Sequence, residues 1–365
     1  MDNKPVILFC INKLGGSAGV GGAERLVVDD INETLSRGYN VHFLTLKKES
    51  KFSLGGELRL EKKHWKTIDF GSIFNPIYWL NVYKYIKQEN PDIVFSHLWF
   101  SNTIIRIVCK IAGVKNIFTF EHNVYDSIKS GRLYLSDRLL QSWSKKIIAV
   151  SSVVKESLIK HGIEEKKIVV INNGINIPKY KKEPNQNLRN SLKIPPNSFV
   201  FLTIGRLIHQ KGMDVLIEAF SKVSQNSILV IVGQGKDELL LKNLANKLGL
   251  GDRVCFLGMR HDIPDILATS DVFVLASRYE GQGIVVLEAR ASGKPIIISD
   301  FPAGKDMITT GVNGLVVKRE KVEELVNAME KLKSDSNLRK NLSESAFATV
   351  QDFSIQNHIN KIMSL

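Results

Sequence analysis

The chain has 365 residues, 44% of them hydrophobic and 24% charged, which is enough for two domains with a sizeable core. No apolar run approaches the ~18–20 residues of a bilayer span, and the opening MDNKPVILFCIN reads as a first core strand, not a signal peptide, so the expectation is a cytoplasmic protein. The net charge of +13 is lopsided, with 28 Lys/Arg against 18 Asp/Glu in residues 1–183 (+10) and 22 against 19 in residues 184–365 (+3), so the first half suits an anionic partner or is a solvated lysine-rich surface.

The first strand candidate, VILFCI (6–11), runs into LGGSAGVGGAER, which packs Gly15, Gly16, Gly19, Gly21 and Gly22 before a helical stretch at 23–37. A dinucleotide site is disfavoured there. The spacing is not G-x-G-x-x-G, and the second strand, VHFLTL (41–46), ends in Lys47 and Lys48 instead of an acid. Helical patterns follow near 77–89, 101–112, 132–144 and 152–161, between strands DIVFS (92–96), IFTF (117–120), KIIAVS (146–151) and IVVI (168–171). His97, Glu121 and His122 fall at successive strand ends, which aims them at one crevice. The polar segment 179–198, with three of the ten prolines, is the linker candidate.

The alternation then restarts with strands FVFLTIG (199–205), ILVIVG (228–233), RVCFLG (253–258), DVFVLAS (271–277) and PIIIS (295–299). Helices are predicted near 212–223, 236–248, 262–269, 283–292 and 320–333. This is the signature of parallel α/β architecture, two doubly wound domains with a ligand cleft at the carboxyl ends of their strands. Arg206 follows one strand end and Lys211 opens the next helix, so two cations stand beside glycines where a diphosphate could rest. In EGQGIVVLE, Glu280 and Glu288 bracket a strand–glycine loop–helix junction whose free N–H groups suit an anion. Gly233, Gly235 and the loop Gly258–Arg260 end further strands, and the tail SIQNHINKIMSL carries helical spacing.

Cys10, Cys109 and Cys255 lie far apart in apolar runs, as buried free thiols would. No D-x-D and no cluster with metal-ligand spacing occurs, and no nucleic-acid motif is present. Two stretches join aromatic and basic residues, PIYWLNVYKYIK (76–87) and RLYLSDRLLQSWSKK (132–146). They suit either an anionic membrane surface or ordinary packing on the sheet.

SRYEGQGIVVLEARASGKPII resembles the E-x7-E region of retaining GT-B glycosyltransferases of the GT4 type. FLTIGRLIHQKGMD is similar to that group's G-R-x-x-x-x-K-G stretch, Gly21-Gly22-Ala23-Glu24 to its GG-x-E loop, and Asn173-Gly174-Ile175 to its N-G-I/V turn. The resemblance implies a GT-B fold of two Rossmann-like domains facing a central cleft. They would span 1–183 on the acceptor side and 184–350 for the nucleotide sugar, with a helix at 351–365 crossing back to the first domain. It implies transfer of a sugar, with retention, from a nucleotide diphosphate sugar (UDP before GDP) to a hydroxyl of a bacterial glycan, possibly lipid-linked. Glu280, Arg206, Lys211 and His97 would be catalytic. Gly21, Gly22, Gly233, Gly258, Met259, Arg260, Gly281, Gln282, Gly283, Ile284 and Glu288 would bind the donor, Glu288 through the ribose. Glu24, Glu121 and His122 would lie on the acceptor side. No metal and no cofactor beyond the nucleotide sugar are expected. Two rivals stay open: an NAD(P)-linked oxidoreductase using Lys47 and Lys48, and a non-catalytic partner in glycan assembly.

Overall fold

The computed structural model describes residues 4–15, 21–49, 53–124, 131–192 and 194–365. They form two compact units, residues 1–174 with 355–365 and residues 175–354.

The first unit is built on seven parallel strands: β1 (Val6–Ile11), β2 (Asn40–Thr45), β3 (Trp65–Thr67), β4 (Ile93–His97), β5 (Asn116–Glu121), β6 (Lys146–Ala149) and β7 (Ile168–Val170). Their order is β3-β2-β1-β4-β5-β6-β7. Helices α1 (Gly22–Ser36), α2 (Pro76–Glu89), α3 (Trp99–Ala112), α4 (Gly131–Leu140) and α5 (Ser152–Lys160) make the connections. Register puts Phe9 beside Phe95 and Phe95 beside Phe118, and their rings stack at 5.4 Å. Leu8, Cys10, Val94 and Ile117 take the opposite face, against Val82, Ile86, Ile105 and Val108 from α2 and α3. With both faces covered, the strands read as continuous apolar runs.

The second unit repeats the plan with β8 (Phe199–Ile204), β9 (Ser227–Val232), β10 (Val254–Phe256), β11 (Val272–Leu275), β12 (Ile296–Ser299) and β13 (Leu315–Val317), in the order β10-β9-β8-β11-β12-β13. Its helices are α6 (Ile177–Tyr180), α7 (Gln186–Ser191), α8 (Met213–Lys222), α9 (Glu238–Lys247), α10 (Ile263–Thr269), α11 (Ile284–Ala291), α12 (Val322–Ser334) and α13 (Ser336–Thr349).

The linker expectation is corrected here. Residues 175–198 belong to the second unit, and the units divide at 174/175 and 354/355, not at 183/184 and 350/351. Apolar side chains punctuate residues 175–198, and Ile177, Tyr180, Leu192 and Ile194 are all buried. They pin α6 and α7 against α10 and α11.

The final helix, α14 (Ile355–Met363), belongs to the first unit and packs on α1. Ile355, His358, Ile359 and Ile362 form its buried face at i, i+3, i+4, i+7 spacing. His358 Nδ1 lies 2.7 Å from the Asn172 carbonyl oxygen, and Arg37 reaches Asn360 Oδ1 at 2.7 Å. Gly174 is where the helix presses on the chain, since a Cβ there would stand 2.7 Å from His358 Cβ and 3.0 Å from Ile355 Cα. Gly174→Ala is therefore expected to cost ~1–3 kcal/mol by overpacking. Thermal unfolding with hydrogen exchange checks it, the expected outcome being lost protection in Ile355–Met363; unchanged protection and midpoint would contradict it.

Candidate functional site

In the second unit, β8 and β11 are neighbours at the point where the strand order reverses, the place where open α/β sheets bind ligands. The loops leaving these two strands are fastened together. The Arg278 N–H donates to Gln210 O at 2.8 Å, and Gln210 Nε2 donates to Tyr279 O at 2.9 Å. The Arg278 guanidinium donates to His209 O at 2.6 Å, pairs with both oxygens of Asp214 at 2.9 and 2.7 Å, and reaches Glu320 Oε1 at 2.5 Å. Gly212 turns at φ +59°, and a Cβ there would overlap the carbonyl oxygen of Ala276. Gly233 and Gly235 allow the same close approach to the carbonyls of Gly205 and Leu207.

This fastening sets the charges. Lys211 Nζ donates to Glu280 Oε1 at 2.5 Å, and Ser277 Oγ donates to the same oxygen at 2.7 Å. The sequence pattern puts Lys211 against a diphosphate; in the structure its ammonium rests on Glu280. Arg206, at the end of β8, is exposed and makes no ion pair among the described residues. Gly281 and Gln282 are buried, and Gly283, at φ +87°, precedes α11 and offers no side-chain cap, leaving first-turn N–H groups for an anion. Ile284 is buried as the first residue of that helix.

Glu288 lies one face further along α11 and accepts a hydrogen bond from the Tyr180 hydroxyl at 2.7 Å. The Gly258 carbonyl accepts from the Gly233 N–H at 2.8 Å, which joins two more strand ends. Met259 is half-buried, and Arg260 is held bidentate by Asp262 at 2.8 and 2.5 Å. Ser277, Gln210, Arg278 and Tyr180 were not singled out in the sequence. Ser277 could have been, as a hydroxyl three residues before Glu280; Tyr180 carried no signal.

The first unit has its own reversal point, between β1 and β4. Asn12 Oδ1 after β1 accepts the Ser101 N–H at 2.8 Å and ties that loop to α3. Gly16 and Gly19 of the glycine loop lie outside the described residues. Gly21 and Gly22 start α1, and the Glu24 carboxylate folds back so that a Cβ on Gly21 would stand 2.5 Å from its Oε2. His97 ends β4 fully buried, stacked on Phe120 at 4.2 Å, with Nδ1 3.1 Å from His122 Nε2. Leu98 follows at φ +71°, a strained conformation for a branched side chain and a mark of functional turns. Glu121 is buried and accepts from Asn102 Nδ2 at 3.0 Å; Arg106 donates to Asn102 O at 3.0 Å and pairs with buried Asp137. The structure thus brings His97, Glu121 and His122 to adjacent strand ends.

Burial pushes the His97 pKa well below its ordinary value, with His122 and His358 adding to the effect. Burial, then His358, pushes His122 down to about 3. The unfolded chain protonates a histidine near 6.5, so between roughly 3 and 6.5 it binds more protons than the folded pair, and stability rises with pH through that window. Acidification from pH 7 to 5 is expected to cost on the order of 1–2 kcal/mol through His122. Urea unfolding at the two pH values measures it, and His122→Asn should shrink the difference; an unchanged difference would remove His122 as its source.

Among the described residues no group of three or more His, Cys, Asp or Glu could hold a metal ion. Cys10 and Cys109 are buried and Cys255 is half-buried, all three free.

Residues 184–349 match the family model for glycosyl transferases group 1, and residues 20–179 that for glycosyltransferase family 4. The chain is 31% identical over 300 residues to the UDP-Gal:α-D-GlcNAc-diphosphoundecaprenol α-1,3-galactosyltransferase of Escherichia coli, covering 78% of each chain. It is 29% identical over 282 residues to the N,N'-diacetylbacillosaminyl-diphospho-undecaprenol α-1,3-N-acetylgalactosaminyltransferase of Campylobacter jejuni, covering 72% of this chain and 73% of that one. In fold it is similar to the Anabaena protein HepE solved with UDP and glucose, with a TM-score of 0.86 at 24% identity over 99% of this chain and 98% of that one.

Proposed function

The chain belongs to the GT4-type glycosyltransferases of the GT-B fold, and from that premise we propose that it moves a hexose from a UDP-sugar, with retention, to a hydroxyl of a bacterial glycan carried on a lipid diphosphate. The observation that carries this is the gathering of Glu280, Lys211, Arg206 and the uncapped start of α11 at the reversal point of the second sheet. The diphosphate rests on the N–H groups after Gly283 and on Arg206, whose guanidinium has no competing ion pair among the described residues. Arg206 and the helix end stabilise the negative charge that grows on the leaving phosphate, so no metal is needed for that task. Glu280 grips hydroxyls of the donor sugar. Glu288 takes the ribose hydroxyls, oriented by Tyr180. His97 and His122, neutral at physiological pH, serve the acceptor side as hydrogen-bonding groups, with Glu24 and Glu121 beside them in the same unit. The lipid-linked acceptor and the UDP donor follow the two named relatives and the UDP complex of the similar structure.

UDP at 100 times its dissociation constant should stabilise the protein by ~2.7 kcal/mol, and NAD should leave it unmoved. Arg206→Ala should lower kcat ~100- to 1,000-fold, with a smaller change in donor binding, and turnover should survive EDTA. A thermal-shift series and steady-state kinetics measure both. Equal shifts for NAD and UDP, or normal turnover without Arg206, would overturn the assignment.

No described helix is long and apolar enough to cross a membrane. Contact with an anionic bilayer instead runs through the first unit. Of the aromatic cluster anticipated on α2, Tyr85 is buried, and Tyr78, Trp79 and Tyr83 pack against the core. The exposed apolar residues are Ile73, Phe74 (88% exposed), Ile77 and Leu80, followed on the helix by exposed Lys84 and Lys87. In the second stretch Leu135 and Leu139 are exposed beside Arg138; the side chains of Arg132 and Leu133 lie outside those described. An apolar tip backed by lysines suits the headgroup boundary. Co-sedimentation should show binding to vesicles rich in anionic lipid that weakens in high salt and with Phe74→Ser. Indifference to lipid charge, salt and Phe74 would reduce the patch to ordinary surface.

A further inference from the structure

Lys211 and Glu280 are paired to each other, yet the proposed reaction needs Glu280 on the donor sugar, and Lys211 stands where a diphosphate could claim it. Their contact is 2.5 Å, and the two side chains are only 13% and 8% exposed. Both Lys211 Nζ and Ser277 Oγ donate to Oε1 of Glu280, and Oε2 has no hydrogen bond among the described residues. Two residues before Glu280, Arg278 fastens the loop to Asp214, Glu320 and the His209 carbonyl.

We propose that the Lys211–Glu280 ion pair is an exchange switch that lets the site hold a sugar-bearing nucleotide and expel the spent nucleoside diphosphate. The proposal rests on the UDP-sugar reading above. A diphosphate arriving at Arg206 and the α11 terminus carries more negative charge than Glu280 and competes for the Lys211 ammonium, a mobile point charge on a flexible stem. Once Lys211 moves over, Glu280 keeps the Ser277 hydroxyl but loses its cation. A buried carboxylate short of donors is unfavourable. Donor-sugar hydroxyls supply those donors, so a complete nucleotide sugar satisfies both charges. After transfer the hydroxyls depart with the product. Glu280 then reclaims Lys211, and the diphosphate loses one of its cations. The same carboxylate that grips the sugar therefore weakens the grip on UDP when no sugar is present.

The test is calorimetric binding of UDP and UMP to the intact protein, to Glu280→Gln, to Lys211→Ala and to the double variant, with product inhibition by UDP as the kinetic counterpart. Glu280→Gln keeps an acceptor for Ser277 but removes the charge that competes for Lys211. It should bind UDP about tenfold more tightly and show correspondingly stronger inhibition by UDP. UMP, which lacks the second phosphate, should change by less than about twofold. The tightening should vanish when Lys211 is already alanine. Ser277→Ala gives an independent arm: with one donor fewer, Glu280 holds Lys211 harder and UDP binds more weakly. It carries the test should Glu280→Gln fail to fold. UDP binding by Glu280→Gln that is equal or weaker would overturn the exchange while leaving the UDP-sugar reading intact. Tightening that persists without Lys211 would also overturn it, showing plain repulsion by Glu280. Failure of the unaltered protein to bind UDP at all would overturn the UDP-sugar reading, and the exchange with it.

Discussion

At Gly212 the backbone of the loop leaving β8 lies so close to the end of β11 that one added methyl group would overlap the Ala276 carbonyl oxygen. Lys211 comes just before that contact and Glu280 shortly after Ala276. The separation of the two charges is thus set by main-chain packing, not by the preferences of two long side chains. Gln210 repeats the fastening through Arg278 and Tyr279, and Arg278 adds its ion pairs on the outer side. Packed backbone fixes where the two side chains are rooted, so only the flexible stem of Lys211 has to move when a ligand arrives.

The first unit solves a different problem. It buries polar groups deeply, and some of them join its helices. Arg106 and Asp137 are almost fully buried, join α3 to α4, and would cost ~3–5 kcal/mol to break by removing one partner. Asp30 and His358 face each other across 3.4 Å between α1 and α14, and burial raises the Asp30 pKa. His97 stands apart. Its Nε2 is buried with no hydrogen-bond partner among the described residues, and the strained Leu98 follows it. An unmatched buried nitrogen costs ~1–3 kcal/mol. Two unfavourable features stand side by side at this strand end, where the acceptor role proposed for His97 would use them.

Most of the fold was legible because each long strand is a continuous apolar run and each connecting helix shows its period. The three-residue strands Trp65–Thr67 and Leu315–Val317 were not seen, since three residues carry no period, and α13 was missed for its polar, weakly patterned surface. The second-unit site was legible through Arg206, Lys211, Glu280 and Glu288, which stand in a glycine-punctuated pattern. Their pairings were not. Nothing in the spacing of Lys211 and Glu280 shows that they meet, because the contact depends on how two loops 69 residues apart are pressed together. Average polarity makes segment 179–198 look like a linker, but buried Tyr180, Leu192 and Ile194, with Ile177 just before them, decide its fate.

Tyr180 has a consequence for how such proteins recombine. The two family models meet across residues 180–183, with one ending at 179 and the other starting at 184. That seam looks like a natural joint for trading sugar-binding halves between relatives. Yet Tyr180 holds Glu288, and the Ser292 hydroxyl donates to its carbonyl at 3.1 Å. A hybrid spliced at the seam would inherit its acid from one parent and the acid's hydroxyl from the other. A hybrid spliced before Ile175 would inherit them as one piece, so exchange of halves is constrained by a hydrogen bond that the seam would cut and the second unit keeps whole.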